Sequence, residues 1–252
     1  MPKFSGKTVI VTGGNSGIGR STAIQFAEAG AQVAIIGRNV ETGQTVVEEI
    51  QAQGGAASFF RADISDRKSV DRAFTDIVAR YGRFHAAFNN AGISSEENFF
   101  DATEFDEFDE IVQNNLYGTF YCMKNEIRHY LSHGGGSIVN CASISALVAR
   151  KKQSAYAASK SAILGLTRVV ALEYANQKIR VNAVCPGGVM TPAAERLLAD
   201  HPEVAKVITS QHPVGRLADP REIGNLVLWL SSGEASNVIG QSFSIDGGYT
   251  IQ

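Results

Sequence analysis

The chain has 252 residues, 44% of them hydrophobic and 19% charged, with 23 Lys+Arg against 25 Asp+Glu and a formal charge of −2. A chain of this length can bury most of its unfolded surface without a disulfide or metal, and its charge balance argues against a nucleic acid or other polyanion held by bulk charge. No apolar run reaches the ~18 residues of a membrane span, the opening Met1-Pro2-Lys3-Phe4-Ser5 lacks a leader's apolar stretch, and the three cysteines (Cys122, Cys141, Cys185) fit neither a disulfide framework nor a zinc cluster. A soluble, reduced, cytoplasmic protein with no membrane or nucleic-acid partner is expected.

Short β-rich runs alternate with longer amphipathic stretches. The runs fall at 8–12, 32–36, 57–60, 85–88, 137–140, 180–184 and 242–245. Most are nearly continuous in apolar or small residues, as strands covered on both faces are. Helices are expected at 17–29, 40–53, 66–80, 103–131, 154–175 and 219–231, with Asp66 and Asp219 as N-caps. Strand–helix–strand repetition with right-handed crossovers predicts an α/β fold, a Rossmann-type doubly wound seven-stranded parallel sheet with helices on both faces. Nothing reads as a linker, so 1–252 is expected to form one domain. Segment 187–218, with Pro192, Pro202 and Pro213, reads as a lid over a bound substrate; a pair of ordinary surface helices is the alternative.

Thr12-Gly13-Gly14-Asn15-Ser16-Gly17-Ile18-Gly19 joins the first strand to the first helix. Glycines turn the chain tightly and leave no side chain between backbone and ligand. The helix N-terminus then offers free N–H groups and a partial positive charge to a pyrophosphate. This placement predicts nucleotide binding, although the spacing Thr-Gly-x-x-x-Gly-x-Gly differs from Gly-x-Gly-x-x-Gly.

Tyr156 and Lys160 are four apart in a helical stretch, so both project from one face. A lysine cation beside a phenol favours the phenolate, which suits an acid/base catalyst of alcohol and carbonyl chemistry. Ser143 lies just past the fifth strand, where its hydroxyl can hold a substrate oxygen. No Gly-x-Ser-x-Gly surrounds it and no histidine is placed as its base, so a serine-hydrolase reading fails. Asn114 and Asn115 fall inside the predicted helix 103–131, where an asparagine side chain competes for backbone hydrogen bonds and needs a reason.

Taken in chain order, these motifs resemble those of the short-chain dehydrogenase/reductase family. The resemblance rests on the glycine cluster, Asn89-Asn90-Ala91-Gly92 after the fourth strand, and Asn115 in Asn-Leu-Tyr-Gly. It extends to Ser143, to Tyr156-Ala157-Ala158-Ser159-Lys160, and to Pro186-Gly187-Gly188-Val189-Met190-Thr191 after the sixth strand, so it covers the whole chain. It implies Tyr156 as general acid/base, Lys160 on the nicotinamide ribose and Ser143 on the substrate oxygen. Asn115 would sit at a helix distortion and hold a water relaying protons towards Lys160, whereas Asn114 is expected to face solvent. Gly13, Asn15, Ser16, Gly17, Ile18 and Gly19 would receive the cofactor phosphates. Asp63 and Ile64 would flank the adenine, with a helix-capping Asp63 as the alternative. Asn89, Ala91 and Gly92 would line the adenine-ribose side, and Pro186, Gly187, Val189 and Thr191 would hold the carboxamide.

The second strand ends Ile35-Ile36-Gly37-Arg38. An acid there would bind a free ribose 2′-hydroxyl. Gly37 brings no charge, and a guanidinium can grip a 2′-phosphate, so NADP(H) is expected; a pocket that also takes NAD is the alternative. Leu147, Val148, Met190, Leu197 and Leu198 suggest an apolar substrate pocket, and His201 and His212 read as surface residues rather than metal ligands. The small residues around Tyr156 let another helix approach closely, and the resemblance implies that this helix and the one carrying Asn115 build a homodimer or homotetramer; packing only inside the subunit is the alternative. The implied activity is an NADP(H)-dependent ketoreductase or alcohol dehydrogenase acting on CH–OH groups, with a small-molecule ketone or secondary alcohol as partner. The rivals are a non-catalytic NADP(H)-binding sensor, an NAD-using 3-oxoacyl-thioester or sugar dehydrogenase, and a nucleotide-sugar epimerase or dehydratase. Asn115, Ser143, Tyr156 and Lys160 occurring together argue against the sensor.

Overall fold

Apolar runs that leave no polar face must be covered on both sides, and the sheet is built that way. The computed structural model describes residues 3–94 and 98–252; Met1 and Pro2 of the opening segment lie outside the described residues. Among the described residues, seven strands form one parallel sheet in the order β3-β2-β1-β4-β5-β6-β7. The strands are β1 (Thr8–Thr12), β2 (Gln32–Gly37), β3 (Ala56–Arg61), β4 (Ala86–Asn89), β5 (Gly136–Cys141), β6 (Ile179–Pro186) and β7 (Ser242–Ile245). The helices are α1 (Gly17–Glu28), α2 (Val40–Ala52), α3 (Arg67–Tyr81), α4 (Phe105–Val112) and α5 (Gly118–His133), followed by α6 (Ser154–Tyr174), α7 (Pro192–Asp200), α8 (Pro202–Ser210) and α9 (Pro220–Ser231). Alternate residues of one strand feed two cores. Val9, Val11, Val33 and Ile35 join Phe26 and Leu230 on one face, and Ile10, Ala34 and Ile36 join Ile77 and Tyr130 on the other. Strand order reverses between β1 and β4, which leaves a crevice beyond their carboxyl ends, the place where open α/β sheets bind ligands.

The expected elements are present with ends displaced by a residue or two, which is the usual scatter of helix and strand boundaries. Asp66 caps α3 by accepting from Lys68 N at 2.9 Å. Asp219 caps α9 in a reciprocal box, accepting from Arg221 N at 2.7 Å while Glu222 accepts from Asp219 N at 2.8 Å. The predicted helix 103–131 differs in one respect. It is broken into α4, a π-turn over Gln113–Tyr117, and α5. Segment 187–218 is not irregular: α7 and α8 occupy most of it, each opening on a proline, whose fixed φ suits the first turn of a helix. No helix among the described residues is long and apolar enough to cross a membrane, and all three cysteines are free and buried.

Candidate active site

The glycine cluster forms one wall of the crevice. Gly13 has φ +63°, and a Cβ there would lie 2.9 Å from Asn90 Nδ2 and 3.0 Å from Ala91 Cα. A Cβ at Gly19 would collide with the Gly13 carbonyl oxygen. The Thr12 hydroxyl oxygen accepts from the backbone N–H groups of Asn90 and Ala91, both at 3.0 Å, and Asn90 Nδ2 donates to Thr12 O at 3.2 Å. The ends of β1 and β4 are thus stapled together. Ser16 is the N-cap of α1, but its side chain makes no capping bond, so the first turn keeps its N–H groups for a ligand. Beyond it runs a groove of about 260 Å³ lined by Gly13, Ser16, Gly37, Arg38, Asn90 and Gly92, with Ala62 and Ile64 at the far end. Glycines where a Cβ would clash, an open helix N-terminus and a cationic far end fit a phosphorylated dinucleotide.

Asn89 is a correction. Its side chain is buried on the α5 side of β4, where Nδ2 donates to Glu126 Oε2 and Asn140 Oδ1, both at 3.0 Å. Asn90, one residue past the strand, lines the groove instead. Strand alternation turns neighbouring side chains to opposite faces. Asp63 caps no helix. It accepts from the Ser65 N–H at 2.9 Å and hydroxyl at 2.7 Å, and its carboxylate stands 4.0 Å from the Arg38 guanidinium. Partial burial raises its pKa, but the Ser65 bonds and Arg38 outweigh this and leave it below the usual value.

The inner cavity, at the nicotinamide end expected from the sequence, is walled by Ile18, Ser143, Tyr156, Lys160, Gly187 and Val189. The Lys160 ammonium is buried, donates to Cys141 O at 2.8 Å and lies 5.7 Å from the centre of the Tyr156 ring. Ser143 Oγ accepts from Ser145 N at 3.1 Å, so its own proton is left to donate into the cavity. Asn115 lies in the π-turn, a feature often found at functional sites. Its amide bonds both backbone groups of Ile93, accepting at 2.8 Å and donating at 2.9 Å, and donates to Ser159 Oγ at 3.2 Å. It therefore ties the segment after β4 to α6, the helix carrying Tyr156. Asn114, expected in solvent, is buried, donates to Glu110 O at 3.1 Å and lines the groove; the π-turn rotates both asparagines inward. A Cβ at Gly92 would lie 2.9 Å from Asn115 Oδ1 and 3.4 Å from Lys160 Nζ. Gly92→Ala is expected to cost about 1–3 kcal/mol of stability, as overpacking does. Urea unfolding checks this, and an unchanged midpoint would show that the contact yields freely.

An outer chamber of about 220 Å³ continues from Tyr156 and Ser143. Its walls include Ser145, Gln153, Ile208, Gln211, His212 and Tyr249, and none of the five apolar residues expected to form a substrate pocket is among them. Leu147 and Leu197 are 44% and 50% exposed. Their apolar faces turn outward, so the apolar-pocket reading is withdrawn. His201 is exposed, but His212 is buried, which corrects its surface assignment. Gly188 N donates to His212 Nε2 at 3.0 Å, while Nδ1 meets Ile208 O at 2.9 Å. A ring holding both contacts is neutral with its proton on Nδ1. It clamps the end of α8 to the segment after β6. The Thr191 hydroxyl caps α7 by accepting from Ala194 N at 3.3 Å, and its methyl carbon faces the glycine cluster, 3.3 Å from where a Cβ at Gly17 would lie. Sequence reasoning missed Asn90, Gln153, His212 and Tyr249 because each comes from a segment whose position depends on the whole fold.

A groove that ends at a buried lysine, a tyrosine and a serine belongs to an oxidoreductase fold that takes a nicotinamide cofactor. The family model described as Enoyl-(Acyl carrier protein) reductase matches residues 13–250. Cyclohexanol dehydrogenase of Acinetobacter sp. (strain SE19) is 40% identical over 248 residues, 98% of this chain and 96% of the relative. The crystal structure of levodione reductase superposes with a TM-score of 0.94 at 33% identity, covering 98% of each chain. A putative NAD(P)-dependent gluconate 5-dehydrogenase from Beutenbergia cavernae, with bound NADP at low occupancy, superposes with a TM-score of 0.92 at 35% identity over 100% of both chains. This chain belongs to the short-chain dehydrogenase/reductase family.

Proposed function

We propose that the protein is an NADP(H)-dependent oxidoreductase that interconverts a small-molecule ketone and a secondary alcohol, with Tyr156 as general acid/base. The observation that carries this is the shared cavity of Ser143, Tyr156 and Lys160 at the end of the nucleotide groove. The cofactor, when bound, donates or accepts the hydride. In reduction the Ser143 hydroxyl holds the carbonyl oxygen and Tyr156 gives it a proton. The Lys160 cation favours negative charge developing on the phenol oxygen, and Asn115 holds a water that resupplies the proton by way of Lys160. Gly13, Asn15, Ser16, Gly17, Ile18 and Gly19 take the phosphates, Ala91 and Gly92 the ribose side, Ile64 the adenine, and Pro186, Gly187 and Val189 the carboxamide. Segment 187–218 acts as the lid, since Ile208, Gln211 and His212 already border the outer chamber.

Preference for NADP(H) is supported at the end of β2. A Cβ at Gly37 would come within 2.6 Å of Asn15 Oδ1, so an aspartate there would displace Asn15. The Arg38 side chain is 61% exposed, 4.0 Å from the Asp63 carboxylate, and lines the groove, so it can turn from that carboxylate to a 2′-phosphate. The kcat/KM ratio for NADPH over NADH is expected to exceed one and to fall by about 10- to 100-fold in Arg38→Ala, the worth of charge-assisted hydrogen bonds. The test follows reduced-nicotinamide absorbance against a panel of ketones. A wild-type ratio at or below one removes the NADP(H) preference, and no turnover of any ketone removes the function.

The location proposed is the cytoplasm, in keeping with three free thiols, and the assembly proposed is a homotetramer or homodimer. An apolar groove between α5 and α6, lined by Phe120, Met123, Ile127, Leu131, Leu166 and Val170, supports pairing with a second copy. Sedimentation equilibrium reads the assembly directly.

A further inference from the structure

Six residues of the chamber's wall come from four separate parts of the chain, and they are mostly polar. Ser145 is buried in the short turn after β5, and its hydroxyl donates to Gln153 Oε1 at 3.1 Å. The Gln153 carbonyl is thereby held, and its amide NH₂ has no protein partner among the described residues. Gln153 is the N-cap of α6, three residues before Tyr156, and both border the chamber. On the opposite wall, both nitrogens of His212 are engaged by Gly188 and Ile208.

An amide held ready by a buried hydroxyl, beside the group that protonates the substrate, asks for an acceptor. We infer that Gln153 is a specificity-determining residue and that the substrate carries a second oxygen, hydroxyl or oxo, close to the carbonyl that is reduced. The inference rests on the oxidoreductase reading above and narrows its substrate class. A substrate bearing that oxygen satisfies the amide as the chamber closes. A hydrocarbon ketone of the same shape strips water from the amide and gives nothing back, and an unsatisfied buried donor is strongly penalised. If the amide is turned over, with the NH₂ on Ser145, its carbonyl faces the chamber and asks for a donor, so the second oxygen is then a hydroxyl and not an oxo group.

The test compares 2-hydroxycyclohexanone with cyclohexanone, which share a ring and differ by one oxygen. The kcat/KM ratio of the two is measured in the wild type, in Gln153→Leu and in Ser145→Ala. The neighbouring hydroxyl also activates the carbonyl intrinsically, and the variants report that part. The wild-type ratio is expected to exceed the Gln153→Leu ratio by about 10- to 100-fold, the effect of one unpaired donor. Ser145→Ala keeps the amide but frees it to rotate, so its ratio falls between the two. Should Gln153→Leu fail to fold, Ser145→Ala alone decides. Equal ratios in all three proteins overturn the inference and leave the oxidoreductase reading standing. No turnover of either ketone, or of any other ketone of the panel, with either cofactor overturns both.

Discussion

Tyr156→Phe is expected to lower kcat for ketone reduction by about 10²- to 10⁴-fold, the usual share of a positioned general acid, while NADPH affinity changes by less than about tenfold, or 1.4 kcal/mol. The substitution removes one oxygen and keeps the ring, so it tests proton transfer and little else. Lys160 still donates to Cys141 O, Asn115 still holds Ile93, and the Ser143 hydroxyl still points into the cavity. What is lost is the proton that must reach the carbonyl oxygen as the carbon is reduced. Stopped-flow single turnovers separate this step from product release. Fluorescence titration of NADPH reports whether the groove is intact. Near-normal turnover would mean that the acid lies elsewhere, and Ser143 would be the first candidate. Loss of NADPH binding together with turnover would mean that the phenol is mainly a cofactor ligand. A protein that binds NADPH tightly and shows no turnover even with Tyr156 present would be the sensor set aside above.

The strands were legible because a sheet covered on both faces leaves no polar alternation to confuse the reading. Val9, Ile10 and Val11 are all buried, although they belong to two different cores. The glycine cluster was legible because close approach and positive φ at Gly13 exclude side chains. The paired asparagines marked a disturbed helix, and the π-turn lies there, but which of the two turned inward could not be read. Helical spacing separates neighbours by about 100° only while the helix is regular. The choice between Asn89 and Asn90 failed for a related reason. It depended on the residue at which β4 ends, and strand ends are set by tertiary contacts. The substrate chamber was the least legible part. Gln153, His212 and Tyr249 meet there because α6, the end of α8 and the turn after β7 converge. Asp246 holds that last turn, accepting from Gly248 N at 3.0 Å and from Thr250 N at 2.9 Å. The sequence offers leucines near the chamber as its lining, yet Leu147 and Leu197 are 44% and 50% exposed on the turn after β5 and on α7.

Glu126 shows how a residue with no sequence signal comes to control stability. In Lys-Asn-Glu-Ile-Arg-His it reads as part of a solvated helix face, but it is completely buried against β4. Burial pushes its carboxyl from 4.5 up to about 8, only partly opposed by the hydrogen bond from Asn89. Its Oε1 and Asn89 Oδ1 have no partner among the described residues, and a proton on the acid suits such an environment better than a charge does. A folded-state pKa raised above the unfolded value gives a contribution fully present below about pH 4.5 and lost as pH rises towards 8. The stability of the wild type relative to Glu126→Gln is therefore expected to fall by about 1.4 kcal/mol per pH unit across that window. The glutamine is neutral throughout and can accept from Asn89 with its carbonyl while its amide faces the orphaned Asn89 Oδ1. Comparing the two proteins cancels the other titrating groups. Urea midpoints measured from pH 5 to pH 8 should diverge, with the variant ahead at the alkaline end. Parallel curves would show that Glu126 ionises alike in both states. The divergence should also reach the active site, because Asn89 adjoins Asn90, which staples the glycine cluster to β4. NADPH affinity of the wild type should then weaken between pH 7 and pH 8 more than that of Glu126→Gln.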